Sequence, residues 1–407
     1  RKIDSVMLGR KREIDSLNTV YTKAWEKKGS YQYKPHKFKY KLKPLQAIAF
    51  ALTSIKQLDF NYQENNGTVL PGLLSAPNYL GYGQTLGGPT YGFLFGSQAD
   101  IRRTALENGW LSTSEFMTDP YVQLQNRTFT ANLQVVPVTD FRIDFNVLNN
   151  YSRNFSQSGF NSLQNLNTAN HDFTFSTDFV TYSNSTIMAK TAFTSGEEIY
   201  ANMLANAKII SQQIPGTVGA DGFTDGYAIS NAYVLIPAFR AAVEGKSVDG
   251  PLGNPTKSGI PIPNWRLSYS GLRNVPFING QFTKFDILHA YNSTYTATGV
   301  QSSIDFFNSP GSRDVNNDYY NPYTFSQVGY VEAFSPLIGV DVTMRNNIQI
   351  SAKYNRDRLF MLGLVNHTLT EDTGTEYVFG FGYIIKDFRL GNFNAGGGRN
   401  AKTTSDL

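Results

Sequence analysis

The chain contains no cysteine among its 407 residues, which removes disulfide frameworks and thiol nucleophiles. It has no run of about 18 apolar residues, so no transmembrane helix is expected. Its four histidines, His36, His171, His289 and His367, lie far apart without ligand spacing, and no zinc site is expected. Gly245-Lys246-Ser247 resembles the end of a phosphate loop, but Arg240 stands where the earlier glycine belongs. Asp314, Asn316 and Asp318 echo the start of a calcium loop, yet Tyr319 replaces the glycine and Phe325 the closing glutamate. No Ser-His-Asp spacing marks a nucleophile. No enzyme activity, cofactor, metal or nucleic-acid partner is expected.

What the chain does have is alternation. Phe141, Ile143, Phe145, Val147 and Tyr151 share one side of a segment whose other side carries Arg142, Asp144 and Asn146, because a period of two sends successive side chains to opposite faces of a sheet. The rhythm returns in Phe129, Ala131, Leu133 and Val135; in Trp265, Leu267 and Tyr269; in Phe334, Ile338, Val340, Val342 and Met344; and in Tyr377, Phe379, Phe381, Tyr383 and Ile385. One apolar, aromatic face and one charged face over so many strands is the pattern of a membrane β-barrel, lipid outside and water inside. The expected lipid face therefore holds Phe141, Ile143, Phe145, Val147, Trp265, Leu267, Tyr269, Val340, Val342, Phe379, Phe381 and Tyr383. The expected lumen face holds Arg142, Asp144, Asn146, Arg266, Lys284, Asp286 and Lys353. A mean hydropathy of −0.31 is compatible with this, since a barrel hides half its residues from lipid. The 14% of aromatic residues fits the girdles at the two interfaces.

About ten strands are predicted, near 55–63, 127–136, 139–152, 172–182, 186–194, 264–273, 281–299, 326–344, 348–368 and 376–388. Their connections alternate: short at 137–140, 183–185, 273–280 and 345–347; long at 64–126, 153–171, 195–263 and 300–325; with a smaller tip at 371–375. Bacterial barrels have short periplasmic turns and longer extracellular loops, so both ends of the chain are expected in the periplasm. Strands of about 15–20 residues exceed the 9–11 that span a bilayer, which implies a wall projecting beyond the membrane. The long loop 195–263 is expected to be helical. Ser195 and Glu198 form a capping box for a helix through Ile214, and a second helix over 231–244 has Ser230 as cap, Gly245 as stop and a kink at Pro237.

Residues 1–43 hold 13 Lys/Arg against 4 Asp/Glu, a net of +9, which leaves −5 for the rest. Helical spacing over 9–28 and strict lysine alternation over 36–43 make 1–44 a basic helical and extended periplasmic segment, followed by barrel strands over 45–390 and a flexible Gly-rich tail over 391–407. Beginning at Arg1 without a leader, the chain reads as a piece of a longer polypeptide.

Several phrases, taken in order, resemble the SprA (Sov) family of outer-membrane translocons of the type IX secretion system of Bacteroidetes. They are Asn65-Asn66-Gly67-Thr68-Val69-Leu70-Pro71-Gly72, Val234-Leu235-Ile236-Pro237-Ala238-Phe239-Arg240-Ala241-Ala242, Ile260-Pro261-Ile262-Pro263-Asn264-Trp265, Phe334-Ser335-Pro336-Leu337-Ile338-Gly339-Val340-Asp341 and Tyr377-Val378-Phe379-Gly380-Phe381-Gly382-Tyr383. The resemblance covers about 45–390. It implies a C-terminal portion of a giant single-chain barrel; the largest barrel known has 36 strands, a number carried over with the family and not computed from this chain. It further implies an all-β membrane protein that is an arc of antiparallel transmembrane strands with helical insertions in long extracellular loops. The implied activity is export of folded cargo and surface adhesins bearing C-terminal signal domains, with support of gliding motility. The implied partners are outer-membrane lipid and other secretion-system subunits such as plug or cap proteins, the energy coming from an inner-membrane motor. The rival readings are a TonB-dependent transporter of small ligands, which needs a plug domain ahead of its barrel, and a β-rich surface adhesin, which would show short strands with polar outer faces.

Overall fold

The computed structural model describes Arg12, Asp15, Ser16, Thr19 and residues 53–384 apart from 76–87, 90, 115, 162–175, 254–256, 258 and 367. The expected basic segment therefore lies outside the described residues, save those first four, which are helical. The Gly-rich tail lies outside them entirely.

The chain forms a mostly antiparallel β-structure. Its strands are β1 (Ile55–Val69), β2 (Tyr121–Val138), β3 (Phe141–Gln157), β4 (Ser176–Ser185), β5 (Asn264–Tyr269), β6 (Phe282–Ser302), β7 (Tyr323–Thr324), β8 (Gln327–Met344), β9 (Ile348–Gly363) and β10 (Thr368–Tyr383). They make one sheet in the order β1-β2-β3-β4-β6-β8-β9-β10, with β5 also joining β3 to β6. Among the described residues the sheet is open: β1 and β10 are its edges and do not pair with each other.

At one end of the sheet, here the near end, the turns are tight. Asp140 and Asn347 take the left-handed conformation there, each at φ 67°, a region that short polar side chains tolerate best after glycine. Asp140 also holds its neighbourhood together, accepting from Arg273 at 3.0 Å and Asn274 at 2.8 Å. The β5–β6 connection is not the plain short turn expected over 273–280. It is a 3₁₀ turn, Gly271–Asn274, followed by a helix, Pro276–Gln281. At the far end the connections are long. That from β1 to β2 contains short helices α1 (Tyr91–Leu94) and α2 (Arg102–Glu107). Leu70, Leu106, Leu111, Tyr121, Phe155 and Phe160 form a small core under it.

The expected strand over 186–194 is absent. β4 continues through Ser185, and the next segment makes a 3₁₀ turn, Ala189–Thr191. The strand predicted over 264–273 stops at Tyr269. The reason lies in the pairing. β4 opposes residues 149–157 of β3, and β5 opposes residues 141–146 of the same strand in the same direction. Both also pair with β6. β4 and β5 are thus two halves of one strand, and the whole stretch 186–263 is inserted between them. Loop 195–263, expected as a connection at the end of two neighbouring strands, instead leaves the sheet halfway along it. β7 likewise continues the line of β8 along β6, so the ten strands occupy eight positions in the sheet. The expected tip at 371–375 is also displaced. Glu371 pairs with Phe360 inside β10, and the turn falls just before Thr368.

The insertion has two helices, α3 (Gly196–Gln212) and α4 (Ala232–Glu244). Ser195 caps α3 by accepting from the Glu198 amide at 3.3 Å. Asn231, not Ser230, caps α4, accepting from the Tyr233 amide at 3.0 Å. Pro237 is accommodated inside a continuous α4, and Gly245 ends that helix at φ 60°, a left-handed position that suits glycine. The helices pack their apolar faces on the far half of the sheet: Val234, Leu235, Ala238, Phe239, Ile199 and Met203 meet Tyr151, Val180, Tyr295, Val328, Tyr330 and Phe360.

Buried polar contacts fix the insertion in place. Arg358, 2% exposed, donates to the Thr191 carbonyl at 3.0 Å, the Thr194 carbonyl at 2.7 Å and Glu371 at 2.7 Å. Tyr291 donates to Glu332 at 2.8 Å and accepts from the Met188 amide at 2.7 Å. From the far end, the β6–β8 connection clasps the same insertion. Asp318 accepts from the Ala228 amide at 2.6 Å and from the Ser230 hydroxyl. Arg313 donates to both oxygens of Asp225. The carboxylates considered for calcium are engaged inside the protein: Asp314 accepts from the amides of Asn316 and Asp318, each at 2.9 Å.

Candidate functional site

The near half of the sheet is the candidate functional surface, and register defines its two faces. Leu58, Leu133, Phe145, Trp265 and Tyr291 form one cross-strand row. Phe141, Tyr269, Ile287, Val340, Ala352 and Phe379 form another on the same side. Ile143 lies opposite Leu267, Val147 opposite Ala131, Val342 opposite Ile350, and Tyr383 opposite Ile348. Every residue expected on the apolar face therefore lies on a single side of the sheet. The side is exposed at the edges: Phe60 is 69%, Phe379 80% and Phe381 77% exposed. An apolar surface left exposed at both edges of a sheet marks a contact with something apolar.

The polar residues share the other side. Gln57, Gln134, Asp144 and Arg266 form a row, beside a second of Asp59, Asn132, Asn146 and Asn264. Side chains link these rows into a ladder. Arg142 donates to Asp144 at 2.8 Å, Gln134 to Asp144 at 3.1 Å and Asn146 to Asn132 at 2.9 Å. Farther along, Lys284 is 3.2 Å from Asp286, and Asp341 takes Ser351 at 2.6 Å and Lys353 at 3.9 Å. Near β10 this side has a shallow depression of about 310 Å³ lined by Lys284, Asp341, Gln349, Ser351, Gly380 and Gly382. A Cβ at Gly380 would stand 3.3 Å from the Ser351 Cβ, so glycine keeps this part of the polar face thin.

Aromatic rings gather at both borders of the apolar band. Toward the far end, Trp265 stacks on Tyr291 at 4.4 Å, Tyr291 meets Phe334 edge-on at 5.0 Å, and Tyr354 stacks on Tyr377 at 5.0 Å. Toward the near end, Phe141 meets Tyr269 at 6.2 Å and Phe282 meets Phe285 at 5.6 Å. His289, the one charged-capable side chain on this face of β6, is turned to a bulge in β8: its Nδ1 lies 2.7 Å from the Leu337 carbonyl.

The band also slants. On β1 and β2 it is centred near the row of Leu133. On β10 it is centred near Phe379, four residues closer to the near end than Thr375, which the pairing places in the row of Leu133. At about 3.3 Å per residue and about 4.8 Å between strands, that is a shift of about 13 Å across about 34 Å of sheet, a slant of roughly 20°. Strands in a barrel wall are tilted by about 35–45°, so a band level with a membrane crosses hydrogen-bonded rows obliquely, as this one does at about half that angle.

Sequence reasoning found both faces but missed the strand break at its far border, where Ser185 and Asn264 end the two halves. The paired prolines Pro261 and Pro263 just before β5 were the available signal. Among the described residues no helix is long and apolar enough to cross a membrane, which says nothing of strands. No protein-family model matches the chain, and no curated protein matches it at a significant level.

Proposed function

We propose that this chain is an arc of the wall of a giant outer-membrane β-barrel that conducts folded proteins in the type IX secretion system, in the manner of the family it resembles. The observation that carries the membrane part of this reading is the slanted, aromatic-bordered apolar band on one side of the sheet, backed by a continuous polar ladder on the other. In this reading the band, Phe145 and Phe379 among it, faces lipid. The ladder, with Arg142, Asp144, Asn146, Arg266, Lys284, Asp286 and Lys353, lines water. The termini are periplasmic, and the far-end loops and the insertion stand outside the cell. The open sheet supports an arc over a self-contained pore, and the export of folded cargo rests on the resemblance together with that openness. No chemistry is required of the wall; it supplies shape, hydration and a lipid seal.

The test is the intact mass of the native protein extracted from outer membranes and detected through this segment. A mass several-fold above 45.3 kDa is expected. A mass near 45 kDa would leave a barrel of about eight to ten strands, too narrow for folded cargo, and the secretion reading would fall.

A further inference from the structure

We propose that the two crossings between wall and insertion form a ledge that rests on the lipid headgroups of the outer leaflet and sets how deep the wall sits. The inference rests on the membrane reading above and adds a binding surface to it. The insertion departs after Ser185 and returns at Asn264, both at the far border of the apolar band. Each crossing presents one large apolar side chain that the fold leaves bare: Phe193 is 68% and Ile260 92% exposed. Neither is stranded on a remote loop. Phe193 lies parallel to Phe334 at 6.2 Å, in the aromatic row that tops the band. Ile260 is tied to the end of β4 on both sides, since the Gly259 carbonyl accepts from Asn184 at 3.2 Å and the Ile262 amide donates to the Ser185 carbonyl at 2.8 Å.

Charge at the same border fits headgroups. Arg356 places its guanidinium 4.6 Å from the centre of the exposed Phe193 ring. An aromatic ring with a cation over it is amphipathic, and such groups partition to the boundary between hydrocarbon and phosphate. A solvated loop would gain nothing by keeping Phe193 and Ile260 bare. A ledge on the bilayer buries both, and it anchors the insertion at the level where the strand breaks.

These 407 residues hold no cysteine, and any in the remainder of the full-length protein are first replaced by serine. Single spin labels are placed by Phe193→Cys, Ile260→Cys, Phe145→Cys and Val218→Cys in the full-length protein in vesicles of outer-membrane lipid. Collision rates with oxygen and with a water-soluble nickel chelate are then compared. The label at Phe145 is expected to favour oxygen strongly. Those at Phe193 and Ile260 should fall between it and Val218, which is 49% exposed in the loop that meets the far-end connection. If Phe145 reads as lipid while Phe193 and Ile260 match Val218, the ledge is wrong and the membrane reading stands. If Phe145 itself reads as water, both fail. The two ledge positions are exposed, so neither substitution removes core packing, and agreement between them guards against one misfolded variant.

Discussion

Phe145 and Asn146 are neighbours in sequence and opposites in surroundings. Phe145 stands in the apolar row with Leu133 and Trp265, and Asn146 donates to Asn132 on the polar side. An arginine on the lipid face of a barrel costs about 2–4 kcal/mol at the bilayer midplane, and one facing water costs little. Phe145→Arg is therefore expected to lower the unfolding free energy of the vesicle-embedded protein, read from denaturant titration, by that amount, with Asn146→Arg within about 0.5 kcal/mol of the parent. Equal losses would show that the faces are assigned wrongly. Arg358 makes a different residue-scale case. Its guanidinium is the only buried cation joining the 3₁₀ turn of the insertion to the wall among the contacts described above. Arg358→Leu leaves the carbonyls of Thr191 and Thr194 without that donor and is expected to weaken docking by about 3 kcal/mol. Hydrogen exchange in α3 and α4 should then quicken about 150-fold. Glu371→Gln keeps a hydrogen-bond acceptor for Arg358 and is expected to have a much smaller effect; an equal effect would mean that the carbonyl contacts contribute little.

At the scale of elements, the insertion is held by two kinds of attachment, a buried apolar one to the wall and a polar one to the β6–β8 connection. The second is open to acid. Hydrogen bonds from Arg313 hold the Asp225 carboxyl below its ordinary value, and Asp225 in turn raises the guanidinium. A carboxyl with a lowered folded pKa stabilises fully above its unfolded value, near 3.9, and loses that contribution as pH falls through the folded one. Hydrogen exchange in 219–227 and 312–320 is thus expected to be unchanged between pH 7 and about pH 5 and to quicken only in stronger acid; loosening above pH 5 would assign the clasp to other groups. Asn231 joins the same clasp, capping α4 and accepting from Asn321 at 2.9 Å. Asn231→Ala is expected to cost about 1–2 kcal/mol, read from thermal or denaturant unfolding of the insertion. How much of this was legible in the sequence follows from what period two can see. It placed Phe141 to Val147 and Phe379 to Tyr383 on one shared side, as the register has them, because those segments alternate strictly in sequence. It misread 186–194, whose Ile187, Ala189 and Ala192 turn into the contact with Tyr291 and Phe334 without strand pairing. It misread 371–375 because polar residues there sit above the band, where a strand need not be apolar on either face. Ser230 and Asn231 are both good caps by composition, and only the backbone distinguishes them.

For the whole molecule, the decisive quantity is the number of strands the wall contains. Eight positions about 4.8 Å apart and tilted by about 40° would close to a ring roughly 16 Å across, a size that side chains fill. A folded domain of 100 residues has a radius of gyration of about 13 Å, hence a diameter of about 34 Å, so passage of such cargo needs a wall several times longer. The edges agree with a longer wall. β1 and β10 are 15 and 16 residues long, and β10 pairs with β9 without a register shift or a proline to blunt its free side. Long flat edges with large apolar side chains are what soluble proteins avoid, because each offers a row of unpaired amides to another strand. In an antiparallel edge strand every second amide points away from its partner. If the wall continues on both sides, those outward amides of β1 and β10 are bonded in the native membrane protein and exchange as slowly as the amides between β2 and β3. In the 407-residue chain held alone in vesicles they should exchange orders of magnitude faster, while the inward set stays slow. Fast exchange of the outward set in the native protein as well would mean that both edges are free, and the arc would have to be replaced by a narrow, open or self-closing sheet that carries no folded cargo.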